Sequence, residues 1–333
     1  MWHYPSGIGE REKKNLGMYP SRGERRTPSW VALFVPALTV LLVAGCSGGG
    51  GGGQEEEQAS QETATEETTG GMAGMEQGAK KMQGMTMEME TVDPSAAGVR
   101  VDFSSDPTDL QPNQPVALRY QVTDNSSGQV LTNLPIEMEK PMHLIAVSQD
   151  LRQFQHIHPA VSNDEAYTVS TTFPETATYV LFDEFMYNEQ TVLDRREVNV
   201  GQALEKSASL SPDLDPKTEG GLTASLSAPE MIMAREDERF TLQVTRGGQP
   251  VTDLEPYLGV PAHLIILSSD TRNYAHTHGE VGGMESMGSS TPSTFGPEIS
   301  FHHNFPHAGL YKVWAQFGYQ GDVITVPYVV EVQ

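Results

Sequence analysis

A single cysteine in 333 residues leaves no partner for an internal disulfide and no thiolate set for a Cys-rich zinc site. A blue-copper centre is excluded too, because it needs a thiolate and Cys46 lies ahead of the segments that have the composition of a folded domain. Basic residues are scarce, with 21 Lys and Arg against 44 Asp and Glu for a formal net charge of −23. Nucleic acid is therefore excluded as a partner, since phosphate binding needs clustered Lys and Arg. No apolar run reaches the roughly 20 residues of a comfortable membrane span. No segment sustains a helical 3.6-residue period. There is no HExxH, and the glycine tract follows no strand, so it forms neither a P-loop nor a nucleophile elbow. Catalysis finds no support, and a non-enzyme is expected.

What is present begins with a leader. Arg22, Arg25 and Arg26 precede an apolar run from Trp30 to Val43, which closes in Val43-Ala44-Gly45-Cys46. A basic stretch, a short apolar stretch and small residues before a cut mark a secretory signal over residues 1–45. Residues 1–17 are polar and atypical ahead of such a signal, so Met1 and Met18 both stand as starts. Small residues ending directly in cysteine resemble the lipobox of bacterial lipoproteins. That resemblance implies cleavage before Cys46, lipidation of Cys46, and a mature chain anchored through lipid to a membrane of the cell envelope, on its extracytoplasmic side. The chain beyond residue 45 holds 15 basic and 41 acidic residues, a net of −26 that repels anionic headgroups and favours cations.

Residues 46–96 read as a disordered tether. Gly48 to Gly53 are consecutive glycines, and Gln54 to Gly71 adds Glu, Gln, Thr and Ser without a large apolar residue. A flexible chain of about 50 residues has a typical end-to-end distance of roughly 40 Å. Within it lie Met72, Met75, Met82, Met85, Met87 and Met89, thioethers of the kind that suit Cu(I). An oxidation-prone linker is the plainer reading of the same segment.

Self-similarity gives the architecture. PMHLIAVSQDLRQFQHIHPAV begins at Pro141 and PAHLIILSSDTRNYAHTHGEV at Pro261, an offset of 120 residues. It pairs His143 with His263, Asp150 with Asp270, His156 with His276 and His158 with His278. Downstream the offset is 132, pairing Tyr179 with Tyr311 and Phe185 with Phe317, so the second copy carries a 12-residue insertion. Each copy is a series of β-branched and aromatic runs, such as VALRYQV and TYVLFDEF, bounded by Asn, Asp, Gly, Ser and Pro. About seven short strands per copy predict an all-β chain of two tandem immunoglobulin-like antiparallel β-sandwich domains, residues 97–203 and 218–333. The stretch HLIAVSQDLRQFQHIHP resembles a domain of secreted bacterial proteins with the pattern HLxxxSxDxxxFxHxHP, in the broader style of periplasmic copper-handling sandwiches. The second copy has Gly279 where the first has Pro159, so the strand is expected to end differently there.

Residues two apart on a strand share a face, so His156 and His158 point the same way. SQDLR predicts a hairpin centred on Asp150-Leu151, with the aspartate (and Asp270 in the second copy) serving the turn. If those two residues form the loop, His143 lies across from His158 with His156 on the diagonal. Cβ separations of about 4.5–5.5 Å and 7–8 Å would let three imidazoles converge on one ion. The same face carries Ile145, Val147 and Phe154, which look like core, so buried structural histidines are the competing reading. The second copy adds His302, His303 and His307 in FHHNFPH, and Met284 and Met287 in its insertion. Adjacent His302 and His303 point to opposite faces and need a bulge to share a site. Asp183-Glu184 becomes Ala315-Gln316 in the second copy and reads as a solvated acidic edge. The expectation is a lipid-anchored protein that binds or buffers a metal ion. Copper fits the methionines as Cu(I) and the triplets His143/His156/His158 and His263/His276/His278 as Cu(II), with zinc the other candidate for the triplets. The alternative is a metal-free adhesion or binding module, or an accessory subunit of an envelope complex.

Overall fold

The computed structural model describes residues 91–203, 209–282 and 292–333. Cys46, the six methionines of the tether segment, Met284 and Met287 lie outside the described residues. Every regular element among the described residues is a strand. The first copy comprises β1 (Thr91–Val92), β2 (Val99–Asp106), β3 (Pro115–Asp124), β4 (His143–Ser148), β5 (Phe154–Ile157), β6 (Ala160–Val161), β7 (Tyr167–Thr172), β8 (Ala177–Tyr187) and β9 (Gln190–Val200). Its sheets run β1-β9-β8-β4-β5 and β2-β3-β7-β6. The second copy comprises β10 (Lys217–Glu219), β11 (Leu222–Ser227), β12 (Asp237–Arg246), β13 (Gln249–Pro250), β14 (His263–Ser268), β15 (Tyr274–His278), β16 (Glu298–Asn304), β17 (Gly309–Tyr319) and β18 (Asp322–Val332). Its sheets run β15-β14-β17-β18 and β10-β11-β12-β13, with β16 also paired to β12. These are the two tandem sandwiches expected from the repeat. The fold begins earlier than residue 97, however. Thr91 and Val92 pair in parallel with Thr191 and Val192, where a β-branched dipeptide meets the free edge of β9.

The central strands of both copies are buried at every position. Their residues serve two cores in alternation. Leu144 and Ala146 face inside the first sandwich with Leu118, Tyr120, Leu181 and Phe185. Leu264 and Ile266 do the same in the second with Phe240, Leu242, Val313 and Phe317. The alternate positions, Ile145, Val147, Ile265 and Leu267, join Val180, Phe182 and Trp314 in a third core formed between the two copies. Phe154 stacks on Trp314 and Tyr274 on Phe182, each with ring centroids 4.8 Å apart and planes 16° from parallel. Phe154 and Tyr274 are repeat counterparts, as are Phe182 and Trp314, so the interface has approximate two-fold symmetry. Full burial of a large apolar side chain contributes about 1.5–3 kcal/mol, and the partly buried Phe154 and Tyr274 contribute less each.

Strand β8 sends Leu181, Asp183 and Phe185 inward and Val180, Phe182 and Glu184 toward the other copy. Asp183 and Glu184 are therefore buried, 0% and 7% exposed, and do not form a solvated edge. Asp183 lies inside the first sandwich, its Oδ2 3.5 Å from Arg196 Nε. The Arg196 guanidinium sits over Phe103 and Tyr120, 4.8 and 5.6 Å from their ring centroids, and also pairs with Asp194. Burial pushes the Asp183 carboxyl up to about 7 even though Arg196 pulls it down.

Candidate metal centre

The β4–β5 hairpin sets the histidine register. Its loop spans residues 149–152, two residues longer than expected, closed by Ser148 N–H donating to Gln153 O at 3.1 Å. The centre of the turn is unchanged, so Leu144 pairs with Ile157 and Ile145 with His156, and continuing that ladder sets His143 opposite His158. The second hairpin pairs His263 with His278 directly. Asp150 and Asp270 serve their turns as expected. Ser148 Oγ donates to Asp150 Oδ1 at 2.7 Å and Ser268 Oγ to Asp270 Oδ1 at 2.6 Å. The strand ends do differ. Gly279 N–H donates to Ala262 O at 2.8 Å, a bond Pro159 cannot make, so β15 runs one residue longer than β5. A Cβ at Gly279 would stand 2.4 Å from Ile299 Cγ2, so no side chain fits there.

Each hairpin brings its three rings together. His143 Nδ1 lies 3.1 Å from His156 Nε2, and His263 Nδ1 lies 2.7 Å from His276 Nε2. The ring of His158 is centred 4.9 and 4.7 Å from those of His143 and His156. The ring of His278 is centred 5.1 and 5.3 Å from His263 and His276. In both triads one nitrogen per ring falls within 4.8 Å of the other two.

The outward nitrogens identify the tautomers. His143 Nε2 is 3.1 Å from the Glu137 carbonyl oxygen, and His263 Nε2 is 3.0 Å from that of Tyr257. His156 Nδ1 is 2.7 Å from Gln316 Oε1, and His276 Nδ1 is 3.2 Å from Glu184 Oε1. These four partners are acceptors, so the four nitrogens facing them carry the protons and donate. The opposite nitrogens then present bare lone pairs to one another, while Nε2 of His158 and of His278 are buried without a protein partner. Lone pairs at such distances repel unless a cation lies among them. A tetrahedral ion with bonds of about 2.0–2.1 Å holds its ligand nitrogens about 3.3 Å apart, close to the 3.1 Å between His143 and His156 and wider than the 2.7 Å between His263 and His276. A direct His–His hydrogen bond is the competing arrangement. In the second copy it would need a further proton on His263 or His276, or would leave one of them with an unprotonated nitrogen facing an outer acceptor.

Burial dominates the electrostatics. It pushes His143 down to about 4 and His158 and His278 to about 3, with the neighbouring histidines adding to the effect. His156 and His263 are also pushed well down by burial. These rings are unprotonated at neutral pH, the form that coordinates metal. Burial pushes the Glu184 carboxyl up, but His276 and His143 together hold it below its ordinary value.

The two triads meet across the third core. Ring centroids of His143 lie 6.2 Å from His263 and 5.4 Å from His276, and those of His156 lie 5.5 and 5.4 Å from the same pair. His302, His303 and His307 belong to neither triad. His302 Nδ1 lies 3.3 Å from Asp237 Oδ2, while His303 is buried on the opposite face, its ring centroid 4.4 Å from that of Phe305 and nearly perpendicular to it. His307 contributes its carbonyl to the Tyr311 hydroxyl at 2.9 Å. Sequence reasoning missed Glu184 and Gln316. The ladder pairs His143 with Glu184 and His263 with Gln316, and each of these partners reaches over to the other copy's histidine.

A family model described as "Domain of unknown function (DUF8832)" matches residues 91–202 and again 217–333. No curated protein matches the sequence. Among solved structures, Salmonella alpha-2-macroglobulin reacted with methylamine is 12% identical, over 75% of this chain and 15% of that one, with a TM-score of 0.25. Invasin, a bacterial integrin-binding protein, is 10% identical over 69% of this chain and 39% of that one, with a TM-score of 0.20. The chicken interferon gamma receptor alpha chain is 12% identical over 70% of this chain and 96% of that one, with a TM-score of 0.21. This chain thus spans about 15% of the alpha-2-macroglobulin chain. Likenesses this loose carry no functional argument.

Proposed function

We propose that this chain, which belongs to the family of the domain of unknown function DUF8832, is a lipid-anchored extracytoplasmic protein that binds metal ions between its two domains. One observation carries this reading. In each triad, outer acceptors hold two histidines in the tautomer whose free nitrogen points at its neighbours, and the third ring adds a buried nitrogen with no protein partner. Outer acceptors of this kind are how metal-ligating histidines are fixed. Three imidazoles with a fourth position left open suit zinc and copper alike. The acidic chain draws cations toward it. The methionines from Met72 to Met89 are suited to capture Cu(I) and pass it to the folded part.

Protein purified without a histidine tag from cells supplied with copper and zinc is expected to hold at least one of these ions per chain. Trace amounts of both would favour the metal-free adhesion or accessory module instead. The anchor is tested separately. Cys46→Ser should release the protein from the membrane fraction, and a variant that stays there with unchanged mature mass would show that Cys46 carries no lipid.

A further inference from the structure

We propose that the two triads form one two-ion centre with unequal positions, in which Glu184 makes His263/His276/His278 the tighter site and Gln316 leaves His143/His156/His158 the weaker. This rests on the metal reading above and extends it to the order of loading.

The two triads are nearly superimposable in chemistry. The carbonyls of Glu137 and Tyr257 are repeat counterparts and play the same part on His143 and His263. The third rings, His158 and His278, also correspond. The difference lies at residues 184 and 316, which occupy the same place in the repeat and reach over to the other domain's histidine. Gln316 presents a neutral amide oxygen to His156, oriented by its own N–H donating to Thr325 Oγ1 at 3.0 Å. Glu184 presents a carboxylate to His276. A carboxylate on the outer nitrogen makes the inner one a better donor and sets a negative charge beside the ion in a site that water barely reaches.

The rings of the two triads lie only 5.4–6.2 Å apart across the interface, so a second cation enters against the charge of the first. The first ion therefore goes to the side where Glu184 offsets it. Each triad also depends on the opposite domain. The Glu184 that completes the second triad stands on β8 of the first copy, and the Gln316 that completes the first stands on β17 of the second.

Zinc is the suitable probe because thioethers bind it poorly, which removes the methionine segment from the measurement. The full chain without a histidine tag would be titrated with Zn(II) against a chromophoric chelator, with stoichiometry read by native mass spectrometry. Two steps separated by at least about tenfold are expected. Glu184→Gln should weaken the tighter step by about 10–100-fold, and Gln316→Glu should strengthen the weaker one. His278→Gln should remove the tighter step and His158→Gln the weaker, which assigns them. Two equal steps would overturn the proposal while leaving metal binding intact. So would a tighter step that Glu184→Gln leaves unchanged, or one that His158→Gln removes. A wild-type chain that binds no zinc would overturn the metal reading itself.

Discussion

Saturating Zn(II) should raise the melting temperature of the wild-type protein by roughly 8–16 °C and that of His276→Gln/His278→Gln by clearly less, because only the weaker His143/His156/His158 triad is then left. An ion present at about a thousand times its dissociation constant adds about 4 kcal/mol to the folded state. For a folded part of this size each kcal/mol is worth about 2–4 °C. The ion is bound through nitrogens that converge only once the two hairpins and the interdomain core have formed, so its binding energy appears as folding energy. The metal-free variant separates this account from a structural one. If the histidines exist to bond one another, the double change leaves buried partners unmet and costs about 1–3 kcal/mol per group, with or without zinc. A wild type that zinc does not stabilise, together with a variant that melts lower in its absence, would identify the triads as structural.

Asp183→Asn should make the protein more stable at pH 8, although it removes a charged partner of Arg196. The Asp183 carboxyl is raised to about 7 by burial, while the same group in the unfolded chain titrates near its ordinary value of 3.8. Between those values the native state holds a proton that the unfolded state has released, so stability falls as pH rises, by about 1.4 kcal/mol per pH unit. The loss is complete above about pH 7 and reaches about 4 kcal/mol at most. Asparagine has nothing to ionise, and Arg196 keeps Asp194. The buried histidines act in the opposite sense below pH 6.5, so the informative quantity is the difference between variant and wild type in chemical denaturation at several pH values. That difference should be near zero at pH 4 and about 2–4 kcal/mol in favour of the variant at pH 8. A variant less stable at pH 8, or a difference that does not grow with pH, would mean that the Asp183–Arg196 contact outweighs the cost of burying the carboxylate.

Much of this fold was legible because the chain states it twice. The hairpin centre at Asp150-Leu151 fixed which residues face one another, and neither the longer loop nor Leu151 at φ 57° disturbed it. A period of two then placed His143, His156 and His158 on one face with Ile145, Val147 and Phe154. What lies over that face was not legible. HLIAVS and HLIILS are apolar at consecutive positions, which signals a strand covered on both sides. Nothing local says that each covers the other. Glu184 was misjudged for the same reason. A charged residue with a polar neighbour looks solvated until the docking of a second domain removes the water. The alternation Val180-Phe182-Glu184 did place it on the face of His143. Its partner, His276, is 92 positions away and belongs to the other copy.

The approximate two-fold relation between the copies has a consequence for how the centre responds to dilution. Surfaces in which Phe154 meets Trp314 while Tyr274 meets Phe182 are self-complementary, the kind by which two identical subunits associate. Here the two halves are joined by residues 201–216, so their meeting is intramolecular. A short connection holds its ends at an effective concentration in the millimolar range. Association of separate domains would be second order and would fail when the protein is scarce. In the tandem chain it is first order, both triads stand assembled in every molecule, and occupancy follows the free ion rather than the abundance of the protein that receives it.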